Sequence, residues 1–181
     1  MLDFSQNYFA LFGLPMRYRV NGSLLADRYR ALQGTLHPDR FAAAGDREKR
    51  LSLQASAHVN HAYQTLRDPL ERALYLVSLH LDGSADEKEA TRDMGFLMEQ
   101  MELREALSGV KDQPDPLVAV GEVLDRLSGQ ADALVQGLED LLDQPSAQNL
   151  EAARELVRKL QFVSKCRVDA EHLEAELDEL S

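Results

Sequence analysis

The chain has 181 residues, 44% of them apolar, with a formal net charge of −11 and a single cysteine, Cys166. The apolar fraction supports a folded core, while one thiol excludes an intramolecular disulfide and a cysteine-built zinc site. Charge divides unevenly: residues 1–75 hold ten Lys+Arg against seven Asp+Glu, and the remainder ten against twenty-four. That asymmetry predicts two units with different partners and argues against nucleic acid as a ligand of the acidic one.

In chain order, the N-terminus carries Asp3 and no basic segment, unlike a secretory signal. Asn21 is suited to cap a helix, because its side-chain oxygen can accept from the first free amides. Leu25, Tyr29, Leu32 and Leu36 then recur at helical spacing as one apolar stripe, with Arg28 and Arg30 directed toward solvent. Pro38 ends this helix, since it offers no amide and pushes its predecessor out of the helical region. His37, Pro38 and Asp39 therefore form a loop, and the small-residue stretch from Phe41 to Gly45 comes after it. A second pattern, with Val59, Ala62, Tyr63 and Leu66 on one face, runs to Asp68-Pro69. Two facing stripes make an antiparallel hairpin with the loop at its tip, where function tends to concentrate. Taken alone, His37-Pro38-Asp39 reads rather as an ordinary helix-stop turn in which Asp39 caps the next segment. The apolar run Ala73 to Leu81 is broken by Ser78 and His80 and is too short to cross a bilayer. A soluble cytoplasmic protein is the expectation.

Context bears on the loop. The start Tyr8-Phe9-Ala10-Leu11-Phe12-Gly13-Leu14-Pro15, the loop Leu36-His37-Pro38-Asp39-Arg40-Phe41 and the run from Ala62 to Ala73 together resemble the J-domain family of co-chaperones. The resemblance implies the fold of residues 1–75: a short first helix, the antiparallel pair and a further short helix. It also implies docking on a DnaK-type chaperone and stimulation of its ATP hydrolysis, through His37, Pro38 and Asp39 with Arg28, Arg30 and Arg40 as the cationic contact. Arg40 stands where the family usually has lysine, which keeps the charge and changes its geometry. Gly34 departs from the pattern too, at a cost of about 1 kcal/mol relative to alanine inside a helix.

Asp82 to Lys88 is polar, contains Gly83, and is expected as the end of a connection spanning 76–88. Beyond it three helical segments are predicted near 89–109, 117–142 and 147–179, separated by Pro114, Pro116 and the stretch Asp143-Gln144-Pro145-Ser146. Leu117, Val120, Leu124, Leu127, Ala131, Leu134, Leu138 and Leu141 alternate steps of three and four, an a/d seam. Val157, Leu160, Leu173, Leu177 and Leu180 repeat the pattern in the last segment. Short connections make neighbours antiparallel, so residues 89–181 are expected as a three-helix bundle and the whole protein as all-α. The middle helix carries Gly121, Gly129 and Gly137, which suggest close approach of a neighbour. In the first segment Phe96, Leu103 and Leu107 share one side, while Met94, Leu97, Met98 and Met101 cluster away from them. This second stripe is either covered by the first unit or a recognition patch, since methionine offers an adaptable apolar surface. Periodicity does not choose between the two.

The runs Tyr75 to His80, Thr91 to Glu105 and Val157 to Phe162 resemble the HscB family, J-type co-chaperones of iron–sulfur cluster biogenesis. That resemblance implies that the bundle binds the cluster scaffold IscU and presents it to the chaperone HscA. It places scaffold contacts at Leu97, Met98, Met101, Glu102, Arg104, Glu105 and Phe162. No cofactor, nucleic acid or membrane partner is expected. Without the cysteine-rich extension of eukaryotic relatives, the chain is expected to be a bacterial form. A J-protein serving a general DnaK-type chaperone with another client is the alternative. A hydrolase or metal enzyme built on His37 and Asp39 is the contrasting class. Against it, the five histidines, His37, His58, His61, His80 and His172, include no i, i+4 pair with a carboxylate. His58 and His61, three apart, are expected on exposed helix surface, and Cys166 as a buried small apolar residue.

Overall fold

The computed structural model describes residues 4–36, 45–80 and 93–179, which form helices and their connections with no strand among them. The chain divides into two compact units, Met1–Leu79 and His80–Ser181.

The first unit contains α1 (Tyr8–Leu11), α2 (Gly22–Leu36), α3 (Asp46–Arg67) and α4 (Pro69–His80). Each start has a local cause. Asn7 Oδ1 accepts from the Ala10 amide at 2.9 Å, and Asn21 Oδ1 accepts from the Leu24 amide at 3.0 Å, the capping role predicted for it. Asp68 accepts from the Leu70 and Glu71 amides at 2.8 and 2.9 Å, and Pro69 opens α4, where its missing amide costs nothing. The chain leaves α1 through Gly13 at φ +61°, which lets the Leu14 amide reach the Phe9 carbonyl at 2.8 Å. Only glycine enters that left-handed region without a steric penalty. Phe9, Phe12, Tyr18, Leu25, Val59, Leu66, Leu76 and Val77 are buried. The Tyr18 hydroxyl donates to the Pro69 carbonyl at 3.0 Å, under the Arg72 guanidinium at 4.7 Å from the ring centre. Arg72 itself donates to the Leu66 carbonyl at 2.7 Å.

The α2–α3 pairing departs from the expected apolar stripe. Leu25 is fully buried, but Tyr29, Leu32 and Leu36 are half-buried, and much of the seam is hydrogen-bonded. Tyr29 stacks on Tyr63 with centroids 4.1 Å apart, and its hydroxyl donates to Asn60 Oδ1 at 2.9 Å. Gln33 donates to the same Asn60 oxygen and accepts from Ser56 Oγ at 3.3 Å. Ser52 Oγ donates to the Leu36 carbonyl at 2.7 Å. These partners run in opposite directions along the two helices, so the pair is antiparallel. His58 also corrects the sequence expectation. It is half-buried rather than exposed, because Phe4 and Tyr8 meet it edge-on at 5.1 and 5.6 Å. His61 is exposed, with the Tyr8 ring edge-on at 5.7 Å.

The second unit contains α5 (Met94–Ser108), a 3₁₀ turn (Val110–Asp112), α6 (Pro116–Leu142) and α7 (Ala147–Glu179). Asp115 caps α6 through the Val118 amide at 3.2 Å, and Ser146 Oγ accepts from the Asn149 amide at 3.1 Å at the head of α7. Four residues join α6 to α7, so the two long helices return along each other. Their shared core holds Val120, Leu127, Leu138 and Leu142 of α6. From α7 it holds Leu150, Ala153, Val157, Leu160, Val163, Cys166 and Ala170. The a/d steps thus continue on α6 from Leu138 to Leu142, with Leu141 half-buried beside them. Leu103 and Val110 close the core from the α5 side. Leu180 of the predicted seam lies outside the described residues. Burial pushes the Cys166 thiol up, so it stays neutral.

Of the helical glycines on α6, Gly137 has a packing reason: a Cβ there would come within 2.9 Å of Leu156 Cδ1. Gly129 has none, since a Cβ would meet nothing within 4 Å. Gly129→Ala is therefore expected to raise the stability of the bundle by about 1 kcal/mol, the helix-propensity difference. Equilibrium urea unfolding checks this, and Gly137→Ala should gain less because Leu156 must shift.

Candidate docking surfaces

The residues singled out by the sequence belong to two candidate surfaces, of which the first is only partly described. His37, Pro38, Asp39 and Arg40 lie outside the described residues. The helices that flank them are described. The Leu36 carbonyl, one residue before His37, is held by the Ser52 hydroxyl of α3. Arg28 and Arg30 are both exposed on α2. Arg30 forms an ion pair with Asp27, one turn back, so part of its charge is already compensated. Arg28 has no such partner among the described residues and carries the freer charge.

The second surface is built on α5. Its inward face is Phe96, 6% exposed, and Leu103, 1% exposed, with Leu107 half-buried. Its outward face carries Met94, Met98 and Met101 at 70, 62 and 72% exposure, with Leu97 half-buried at the margin. The two stripes differ because helical spacing turns them to different sides of one short helix, and α6 with α7 can cover only one. Glu102, Arg104 and Glu105 are exposed around the methionines. Glu102 accepts from Arg126 of α6 at 3.3 Å. Phe162 of α7 is half-buried and meets Phe96 edge-on at 5.6 Å, with the Arg104 guanidinium 5.7 Å from its ring centre. The structure thus brings Arg104 and Phe162 together across two helices. It places Leu97, Met98, Met101, Glu102 and Glu105 along the same stretch of α5. Met94 extends the apolar row one turn further toward the start of the helix.

Asp93 and Lys159, which periodicity does not single out, fix α5 in place. Asp93 Oδ1 accepts from the Phe96 amide at 3.1 Å, and Asp93 Oδ2 accepts from Lys159 Nζ at 2.5 Å. Lys159 also lies 5.3 Å from the Phe96 ring centre. The Lys159 hydrogen bond, helped by the Phe96 amide, holds the Asp93 carboxyl below the ordinary carboxylate range. A depressed folded value means that this anchor is fully present above the ordinary aspartate pKa and is lost as pH falls through the depressed value. Amide exchange in the first turn of α5, corrected for intrinsic rates, should therefore rise on strong acidification. In Asp93→Ala it should be raised already at neutral pH.

No group of three or more His, Cys, Asp or Glu among the described residues could hold a metal ion. No described helix is long and apolar enough to cross a membrane. What α5 offers is a protruding row of polarisable apolar side chains inside a charged rim, the anatomy of a protein-docking surface.

Known proteins with the same arrangement are recognisable. Residues 92–171 match the family described as the HSCB C-terminal oligomerisation domain. A co-chaperone protein HscB homolog of Shewanella woodyi is 38% identical over 173 residues, covering 96% of this chain and 99% of its own. Among solved structures, the chaperone HscB from Vibrio cholerae is 41% identical at a TM-score of 0.78, with 95% of this chain and 99% of that one covered. The human co-chaperone protein HscB is 29% identical at a TM-score of 0.84, with 94% and 83% covered. The fold is thus that of an all-α co-chaperone, a J-domain followed by a helical bundle. The likeness runs through nearly the whole length of both bacterial relatives and includes the α5 segment. The chain belongs to the HscB co-chaperone family.

Proposed function

We propose that this protein is an adaptor in iron–sulfur cluster maturation. It captures the scaffold IscU on its second unit and delivers it to the DnaK-type chaperone HscA, whose ATPase it stimulates. The work divides between residues 1–75, which face the chaperone, and residues 89–181, which hold the scaffold. The observation that carries this is the exposed row Met94, Met98 and Met101 beside Phe162 and Arg104, in a chain whose relatives are co-chaperones. Leu97, Met98, Met101, Glu102, Arg104, Glu105 and Phe162 form the scaffold contact. His37, Pro38, Asp39, Arg28, Arg30 and Arg40 form the chaperone contact. Asp39 offers a charge-assisted hydrogen bond to a partner arginine, and Pro38 lowers the ordering cost of the loop. Arg28 steers encounter with an acidic surface. Because one molecule carries both surfaces, scaffold and chaperone meet at raised effective concentration. The protein does no covalent chemistry itself, needs no cofactor and works in the cytoplasm.

Steady-state ATPase of HscA, measured with this protein in the presence and absence of IscU, tests the proposal. Stimulation by the protein, enhanced further by IscU, is the expected result. Stimulation without any effect or binding of IscU would instead favour a J-protein for another client.

A further inference from the structure

The second unit is acidic, yet its cations are not randomly disposed. Among its described residues, six of the eight Lys and Arg side chains sit within 4 Å of a carboxylate: Lys111 with Glu176, Arg126 with Glu102, Arg154 with Glu151, Arg158 with Glu155, Lys159 with Asp93 and Arg167 with Glu171. The remaining two, Arg104 and Lys165, have no such partner among the described residues. Both line the same cleft, about 370 Å³, between α5 and α7. Its apolar wall includes Leu107, Phe162 and Cys166, and Asp169 lies at the same cleft without pairing to either cation. Burial keeps the Cys166 thiol neutral, so that part of the wall carries no charge. Arg104 stands over the Phe162 ring, which places one free cation where the cleft meets the α5 docking surface.

Every other described Lys and Arg of this unit has a carboxylate within 4 Å, whereas these two share one apolar recess. Their coincidence at one apolar recess points to a ligand that supplies both an apolar group and a negative charge. We infer that this cleft is a second part of the scaffold-binding surface. It would receive an apolar side chain of the scaffold flanked by an acidic one, the carboxylate lying between Arg104 and Lys165. The inference rests on the scaffold-binding reading above and adds Lys165 and Leu107 to it. Charge complementarity selects the occupant: an apolar peptide without a carboxylate would leave both cations desolvated and unpaired, which is costly.

The test is calorimetry of the full-length protein with purified IscU at low and high salt, using Lys165→Glu, Lys165→Gln and Met98→Ala. Lys165→Glu should weaken binding about tenfold at low salt, with the deficit shrinking at high salt. Lys165→Gln should weaken it less and in the same direction, and it serves if the reversal perturbs folding. Replacing an acidic residue of IscU by lysine should restore affinity for Lys165→Glu, a rescue that a merely structural role for Lys165 would not give. Wild-type affinity and salt dependence for both Lys165 variants, with Met98→Ala weakened, overturns the inference and leaves the methionine surface standing. If Met98→Ala also binds normally, the scaffold-binding reading itself fails.

Discussion

Asp39→Asn is expected to remove stimulation of the HscA ATPase while leaving affinity for IscU unchanged. The substitution keeps the shape of the side chain and removes its charge. On the proposed chaperone contact it deletes the charge-assisted pairing with a partner arginine and leaves that arginine without its counter-charge. Truncating one side of such a pair costs about 2–5 kcal/mol, a weakening of about thirtyfold or more. Docking at ordinary concentrations does not survive that loss. His37→Gln should behave in the same way. Arg28, the freer cation of the α2 face, is proposed to act on the encounter rate, so its loss should be partial and strongly salt-dependent. Steady-state ATPase and calorimetry with IscU separate the two activities. An Asp39→Asn protein that stimulates normally would remove the loop from the chaperone contact.

The helices of the second unit are legible in the sequence because their ends are chemically marked. Pro114, Pro116 and Pro145 mark the breaks in the sequence, while the caps Asp115 and Ser146 emerge only in the structure. Their seam is legible because each helix buries one continuous stripe, a pattern that survives in one dimension. Of the α2–α3 seam only the apolar part is legible, Tyr29 and Tyr63 included. Gln33, Ser56 and Asn60 read as neutral polar positions until they face one another. Hydropathy records the preference of each residue for water, not the partner that replaces water. Spacing misplaces His58 for a related reason: its cover, Phe4 and Tyr8, lies some fifty residues away in the chain. On α5 periodicity yields two stripes and no choice between a covered and an open second one, whereas the fold leaves the methionine row exposed. Arg104 and Lys165 stand out only after the other cations have been matched to carboxylates, a subtraction that needs three dimensions.

Changing Leu97, Met101 and Phe162 together to alanine should produce the opposite phenotype: IscU affinity falls about a hundredfold while basal stimulation of HscA is retained. A drop of that size is about 3 kcal/mol, within reach when apolar anchors at the centre of an interface are truncated. The three residues do not contribute alike. Met101 is 72% exposed and holds nothing in place, so Met101→Ala should leave thermal stability unchanged and act on binding alone. Phe162 is half-buried, packs on Phe96 and lies under Arg104, so its truncation also loosens the α5–α7 contact. Phe162→Ala should therefore lower the melting temperature of the second unit as well as the affinity. If Met101→Ala bound IscU normally and all of the loss came with Phe162→Ala and its stability, the scaffold would be sensing the integrity of the bundle. If Met101→Ala weakens binding at wild-type stability, the exposed row itself makes the contact, because that side chain has no other work to lose.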